Sequence, residues 1–283
     1  MTAELRVIAT PIGNLGDLTP RAQQALATAD LVLCEDTRHS GALLNHLGIK
    51  KPLWSLHAHN ETGRIDSILH ALAEGQVIAL VSDAGTPCLS DPGAELVAAV
   101  RHAGYAVTSL PGPFAAAVAL AASGMTPVPF AFWGFLAKKS GERRSQLQAR
   151  LLPGPDGPMS HAFYVPGRDL DDVLADLVAV APAAKVCVAR ELTKIHEGFW
   201  LGTAAEVAGR LGPEQLRGEA VVLVEISAKP AGHDKWSEAQ LTEKIIESRE
   251  AGHRAKHAVA DLAAASGWTR SDVYALWVAN TPD

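Results

Sequence analysis

No Gly-Lys pair occurs anywhere in the 283 residues, so the glycine loop that cradles the phosphates of a nucleoside triphosphate is excluded. No two glycines lie two positions apart, which removes the Gly-x-Gly-x-x-Gly dinucleotide fingerprint as well. His-Glu-x-x-His, Cys-x-x-Cys and Gly-x-Ser-x-Gly are all missing, so nothing points to a zinc site or a serine hydrolase and no metal is expected. The three cysteines, Cys34, Cys88 and Cys187, have no pair spacing, and the start "MTAELRVIATP" lacks a charged-then-apolar signal pattern. Both features fit a cytoplasmic protein. Charged side chains are absent from Ala103 to Ala137, which raises the question of a membrane span. Pro111, Pro113, Pro127, Pro129, Gly112 and Gly124 cut that run. A spanning helix needs ~20 unbroken apolar residues, so no membrane is expected.

What is there describes a globular α/β chain. Hydrophobic residues make up 48% and charged ones 20%, ordinary for a globular protein, and the length suits about two domains. The first half alternates apolar strand-like runs with helical patterns: "LRVIAT", a helix opened by Thr19-Pro20, "LVLCED", "GALLNHLG", "PLWSLH", "GRIDSILHALAEG", "QVIALVS", "GAELVAAVRHAG", "YAVTSLP" and "FAAAVALAASG". Thr19 as N-cap, Pro20 at the first helical position, and Gly48, Gly75 and Gly104 past helix ends supply start and stop chemistry. The alternation predicts a mostly parallel sheet covered by helices. A second unit with strands and helices mixed begins near Pro129. After Lys229-Pro230-Ala231-Gly232 the strands stop, and three helical segments follow, carrying Arg249, Arg254, Lys256 and Arg270. The expected division is 1–128, 129–230 and 231–283, with no internal repeat and no low-complexity segment.

In a parallel sheet, ligands sit beyond the carboxyl ends of the strands. "TPIGNLGDLTP" follows the first run, "EDTRHS" the second, "SDAGTPCLSDPG" the fourth and "PGP" the fifth. Four such loops at one edge suit a pocket of backbone groups, carboxylates and small hydroxyls. Its ligand would be of adenosine type, without a phosphate tail. The formal charge of −6 argues against wholesale coating of nucleic acid, so such a partner must be held by local clusters. "KKSGERRSQLQAR" is one, with Lys138, Lys139, Arg143, Arg144 and Arg150 against Glu142. It reads either as a solvated helix face or as a grip on phosphates.

The blocks "TPIGNLGDLTPRA", "CEDTRHSGALLNHLGI", "LVSDAGTPCLSDPGAELV", "LPGPFAAAVALAASG", "GFLAKKSGERR" and "ARELTKIHE" resemble, in this order, the ribosomal RNA small-subunit methyltransferase I family of the tetrapyrrole methylase superfamily. The resemblance runs from about Val7 to Ile226. It implies two α/β domains with the cofactor in the cleft between them, plus a small helical C-terminal module. It also implies an S-adenosylmethionine-dependent enzyme that methylates the ribose 2′-oxygen of a cytidine in small-subunit (16S) ribosomal RNA, and a homodimer. The RNA would be met free or in the 30S subunit. By the same resemblance Asp83, Ala84, Gly85 and Thr86 line the cofactor pocket with Pro111, Gly112 and Pro113, and Pro11 closes it. One block departs: where the family shows Phe-Tyr-Glu-Ser-Pro-His-Arg, this chain has Phe163-Tyr164-Val165-Pro166-Gly167-Arg168-Asp169, without the acid and the histidine.

Methyl transfer to a hydroxyl needs an in-line approach and removal of a proton. Glu35, Asp36, Asp83 and Lys138 are candidates for that proton, and Arg38, His39, Lys138, Lys139, Arg143 and Arg144 for RNA contact. In the competing structural reading, Asp36 merely caps the next helix and Asp83 and Asp91 cap turns. Three functional readings stand at this point: an RNA 2′-O-methyltransferase, a small-molecule methylase of the same fold, and a non-catalytic RNA-binding factor.

Overall fold

The computed structural model describes residues 3–155, 157–227, 236–251, 253, 255–266 and 268–280. The chain divides into two compact units, Met1–Leu152 with Pro158–Ile226, and Pro153–Gly157 with Ser227–Asp283. The expected linker at Lys229 to Gly232 and the tail residue Arg254 lie outside the described residues, as does the side chain of Lys256.

The first unit contains two five-stranded sheets. Strands β1 (Glu4–Ile8), β2 (Leu31–Cys34), β3 (Leu53–Ser55), β4 (Val77–Leu80) and β5 (Ala106–Leu110) form an all-parallel sheet in the order β3-β2-β4-β1-β5. Helices α1 (Pro20–Ala27) and α2 (Thr37–His46) cover one face, burying Leu26 and Leu44 against Ile8, Val32 and Ala79. Helices α3 (Glu61–Ala73) and α4 (Ala94–His102) cover the other, where Ile68, Leu72, Leu96 and Val100 meet Leu5, Val7, Leu33 and Ile78. The expected cap is present: Thr19 Oγ1 accepts from the Ala22 amide at 3.1 Å, with Pro20 opening α1. Gly48, Gly75 and Gly104 follow α2, α3 and α4 with φ of +70°, +90° and +84°.

β1 and β4 are neighbours, yet β1 leads into α1 on one face and β4 into α4 on the other. Their connections therefore part at the carboxyl edge. A parting of this kind opens the crevice in which α/β sheets hold ligands.

Helix α5 (Ala115–Ser123) follows β5 but packs on the second sheet, where Ala116, Ala119 and Leu120 meet Ala162, Cys187, Ala189, Val221 and Leu223. Its sequence, AAAVALAAS, has no charged face to keep in water, so it can be covered from more than one side. The second sheet has the order β6-β7-β10-β8-β9, built from β6 (Phe130–Phe135), β7 (Met159–Pro166), β8 (Lys185–Arg190), β9 (Gly198–Gly202) and β10 (Glu219–Ile226). β6 pairs with β7 in parallel, and the other pairs are antiparallel. Helices α6 (Ser140–Arg150), α7 (Leu170–Val180) and α8 (Ala204–Ala208) seal its opposite face over Phe163, Val165, Val188 and Val222. Val165, which stands where the family shows an acid, belongs to this buried core.

The second unit has helices α9 (Glu238–Glu250), α10 (Ala255–Ser266) and α11 (Arg270–Ala279) around Leu241, Ile245, Val259, Val273 and Trp277. Trp268 donates its indole N–H to the Trp236 carbonyl at 2.7 Å. Arg249 lies 4.7 Å over the Trp277 ring, while Arg270 is exposed. No helix among the described residues is long and apolar enough to cross a membrane.

Candidate active site

Specific bonds join the four loops at the carboxyl edge of the parallel sheet. After β1, the Thr10 amide donates to the Gly85 carbonyl at 2.9 Å, and the Gly85 amide returns a bond to the Thr10 carbonyl at 3.0 Å. The Thr10 hydroxyl donates to the Ser82 carbonyl at 3.0 Å. After β5, the Pro113 carbonyl accepts from the Thr86 hydroxyl at 2.9 Å. After β2, the Asp36 amide donates to Asp83 Oδ1 at 3.3 Å. The loops thus converge on the parting of β1 and β4.

The residues expected at this edge differ in what they can offer. Asp83, Thr86, Pro11 and Pro113 are half-buried, Ala84, Pro111 and Gly112 are exposed, and Gly85 is buried. Asp36 caps α2, accepting from the Arg38 amide at 2.8 Å while its other oxygen takes the Arg38 guanidinium at 2.7 Å. The guanidinium holds the Asp36 carboxyl well below the usual carboxylate range, which makes it a poor proton acceptor. Glu35 and His39 are exposed beside it.

Asp91 belongs to this charged group, beyond the turn cap that the competing structural reading makes of it. Burial pushes its carboxyl up to about 6, helped by the charges of Glu35, Asp83 and Glu219. Tyr164, from the second sheet, has its phenol pushed up to about 12, chiefly by burial and further by Asp91 and Glu219. Thr10, Ser82, Asp91, Tyr164 and Glu219 therefore join the site from outside the expected set. Thr10, Ser82 and Asp91 lie in the loops marked by the sequence and Tyr164 is an aromatic in a strand-like "HAFYV", whereas Glu219 carried no sequence signal.

The basic helix is not a uniform cationic face. Arg143 is buried, donating to Asp176 at 2.6 Å and to the Lys138 carbonyl at 3.0 Å, so it has no free side for a phosphate. Arg144, half-exposed, bonds the other Asp176 oxygen at 2.6 Å. Burial would raise the Asp176 carboxyl, but hydrogen bonds from Arg144, Ser140 and Arg143 outweigh it and hold it low. Arg150 lies 5.1 Å over the Trp133 ring. Lys138 and Lys139 are exposed, with Lys139 3.4 Å from Glu142.

The donor set suits the expected cofactor. Glu35, Asp36, Asp83 and Asp91 supply its carboxylates, and the Arg38 guanidinium beside them is engaged by Asp36. Such an edge accepts a positively charged nucleoside and repels a phosphate tail. Among the described residues no group of His, Cys, Asp and Glu could hold a metal ion. The cysteines are free.

The model of the Tetrapyrrole (Corrin/Porphyrin) Methylases matches residues 4–208. Among solved structures, uroporphyrin-III-C-methyltransferase from Thermus thermophilus has a TM-score of 0.54 at 22% identity, covering 78% of this chain and 94% of that one. The ribosomal RNA small subunit methyltransferase I of Xylella fastidiosa is 44% identical over 79% of this chain and 82% of its own length. That of Haemophilus influenzae is 39% identical over 99% and 98%. A chain that carries the whole loop edge, in the fold of the tetrapyrrole methylases and at this identity, belongs to the ribosomal RNA small subunit methyltransferase I family.

Proposed function

We propose that the carboxyl-edge loops seat S-adenosylmethionine and that the chain methylates the ribose 2′-oxygen of a cytidine in 16S ribosomal RNA. The observation that carries this reading is the clamp of Thr10 on Gly85 at the parting of β1 and β4, with carboxylates around it. When bound, the cofactor supplies an electrophilic methyl group on a positively charged sulfonium. Asp83 and its neighbours complement that charge, while exposed Ala84 and the Pro111 to Pro113 segment offer backbone groups to the nucleoside; Gly85, its amide and carbonyl both bonded to Thr10, holds the loop in shape. The 2′-oxygen would gain the methyl carbon as the carbon–sulfur bond breaks and leaves a neutral thioether, and would lose its proton to a nearby base. Asp36 is withdrawn from that transfer by Arg38, and exposed Lys138 serves as a cation rather than a proton acceptor, so Glu35, Asp83 and Asp91 remain to accept the proton.

Lys138, Lys139 and the open side of Arg144 are the cations left to meet phosphates. The protein acts in the cytoplasm, on ribosomal RNA or the 30S subunit, as a homodimer. A mass near 29.8 kDa by light scattering at micromolar concentration would refute the dimer. The activity is tested by mapping ribose methylation in ribosomal RNA from cells with and without the gene. One cytidine should lose its 2′-O-methyl group in the deleted strain, and an unchanged map would overturn the assignment. Calorimetry should show S-adenosylmethionine binding unaffected by a chelator and weakened by Asp83→Ala.

A further inference from the structure

Four aromatic rings run in a chain from the cofactor loops to the surface. Phe114, directly after Pro113, meets Phe132 at 5.0 Å between centroids. Phe132 meets Tyr164 at 4.8 Å, and Tyr164 meets Phe135 at 5.5 Å, every contact edge-to-face. A register shift in β6 between Phe132 and Phe135 brings Phe135 opposite Tyr164. The first three rings are half-buried, but Phe135 is 47% exposed.

The surroundings of this ring say what it meets. Its neighbour Gly134 lies so close to the loop after β4 that an added Cβ would stand 2.6 Å from Ser90 Oγ. Phe135 therefore sits beside the loop that carries Asp91. Three residues along, exposed Lys138 lines a small hollow together with Tyr164. A half-exposed aromatic ring, near a cation in sequence and beside the loop that carries Asp91, matches the parts of a nucleotide: a base to stack, a phosphate to pair and a ribose between them.

We propose that Phe135 is the stacking platform for a nucleobase of the RNA substrate, held by Tyr164 behind it. The inference rests on the RNA methyltransferase reading above. Unpaired bases are commonly held against aromatic rings, and each such stack is worth ~1–3 kcal/mol when the ring is removed. The Phe114-Phe132-Tyr164 chain gives the platform rigidity and ties its position to the cofactor loop. Stacking there would place the adjoining ribose at the carboxyl edge.

The test uses the full chain and 30S subunits from cells lacking the gene, with Phe135→Ala, Phe135→Leu and Phe135→Tyr. Phe135→Ala should lower kcat/KM for the subunits roughly 5- to 150-fold, the equivalent of ~1–3 kcal/mol. Phe135→Leu, which keeps apolar bulk without a π-face, should stay low, and Phe135→Tyr should recover most of the activity. S-adenosylmethionine affinity and thermal midpoint should be unchanged in all three. The salt slope of subunit binding should also stay as in the parent, since a stack releases no counterion.

Equal activity of Phe135→Ala and the parent, or full rescue by Phe135→Leu, would overturn the platform. So would a change of mass in Phe135→Ala, which would assign the ring to contact between copies. A parent protein that methylates no ribosomal RNA defeats the underlying reading itself. An active parent with indifferent variants defeats only the stack.

Discussion

Thr10 and Gly85 exchange two backbone hydrogen bonds, 2.9 and 3.0 Å long, across the parting of β1 and β4. The exchange holds Gly85 at φ +82°, with Ile12 Cγ2 3.3 Å and the Pro113 carbonyl oxygen 3.4 Å from where a Cβ would stand. Gly85→Ala should destabilise the fold by about 1–2 kcal/mol, the usual cost of a left-handed backbone for an L-residue. It should also weaken S-adenosylmethionine binding by calorimetry, because the displaced loop carries Asp83. Unchanged affinity would remove the clamp from the cofactor site.

Asp91 makes stability depend on pH in a defined direction. Folded, it holds its proton up to about 6 rather than the ordinary 3.8. Between these values the folded chain binds more protons than the unfolded one, so this contribution to stability falls as pH rises and is lost above about 6. Urea midpoints of Asp91→Asn should vary less than the parent's across that window and exceed them at pH 7. Parallel curves would show that Asp91 titrates as an ordinary surface aspartate.

Arg143 and Lys139 share a helix terminus but not a role. Arg143→Ala leaves buried Asp176 with only Arg144 and Ser140, and should cost about 3 kcal/mol, the lower end for a broken buried pair. Lys139→Ala removes an exposed pair and should stay within about 0.5 kcal/mol. Chemical unfolding of the two variants separates these roles.

RNA binding is then tested without Arg143. Lys138→Ala with Lys139→Ala should flatten the slope of log affinity against log salt by roughly 0.7 to 0.9 for each phosphate left without its lysine. Cofactor affinity should be unchanged, because cations that grip phosphates position the substrate. An unaltered slope would return these lysines to a solvated face.

The sequence by itself determined the order of strands and helices, the caps at Thr19 and Pro20, and the glycine stops, because each depends on residues within a turn or two. It also determined that four unusual loops share one edge, since parallel strands send all their carboxyl ends the same way. The departure at Val165 was legible as a letter but not as a location. Only the folded chain shows that residue inside the core beneath α7, while Tyr164 beside it turns to the opposite face. Tertiary structure alone separated Arg143 from its neighbours, because the deciding partner, Asp176, lies 33 positions away. It likewise made Asp91 a stronger base and Asp36 a weaker one. Basicity follows from burial and from the charges that folding gathers around a group, and neither is written in a residue's own neighbourhood along the chain.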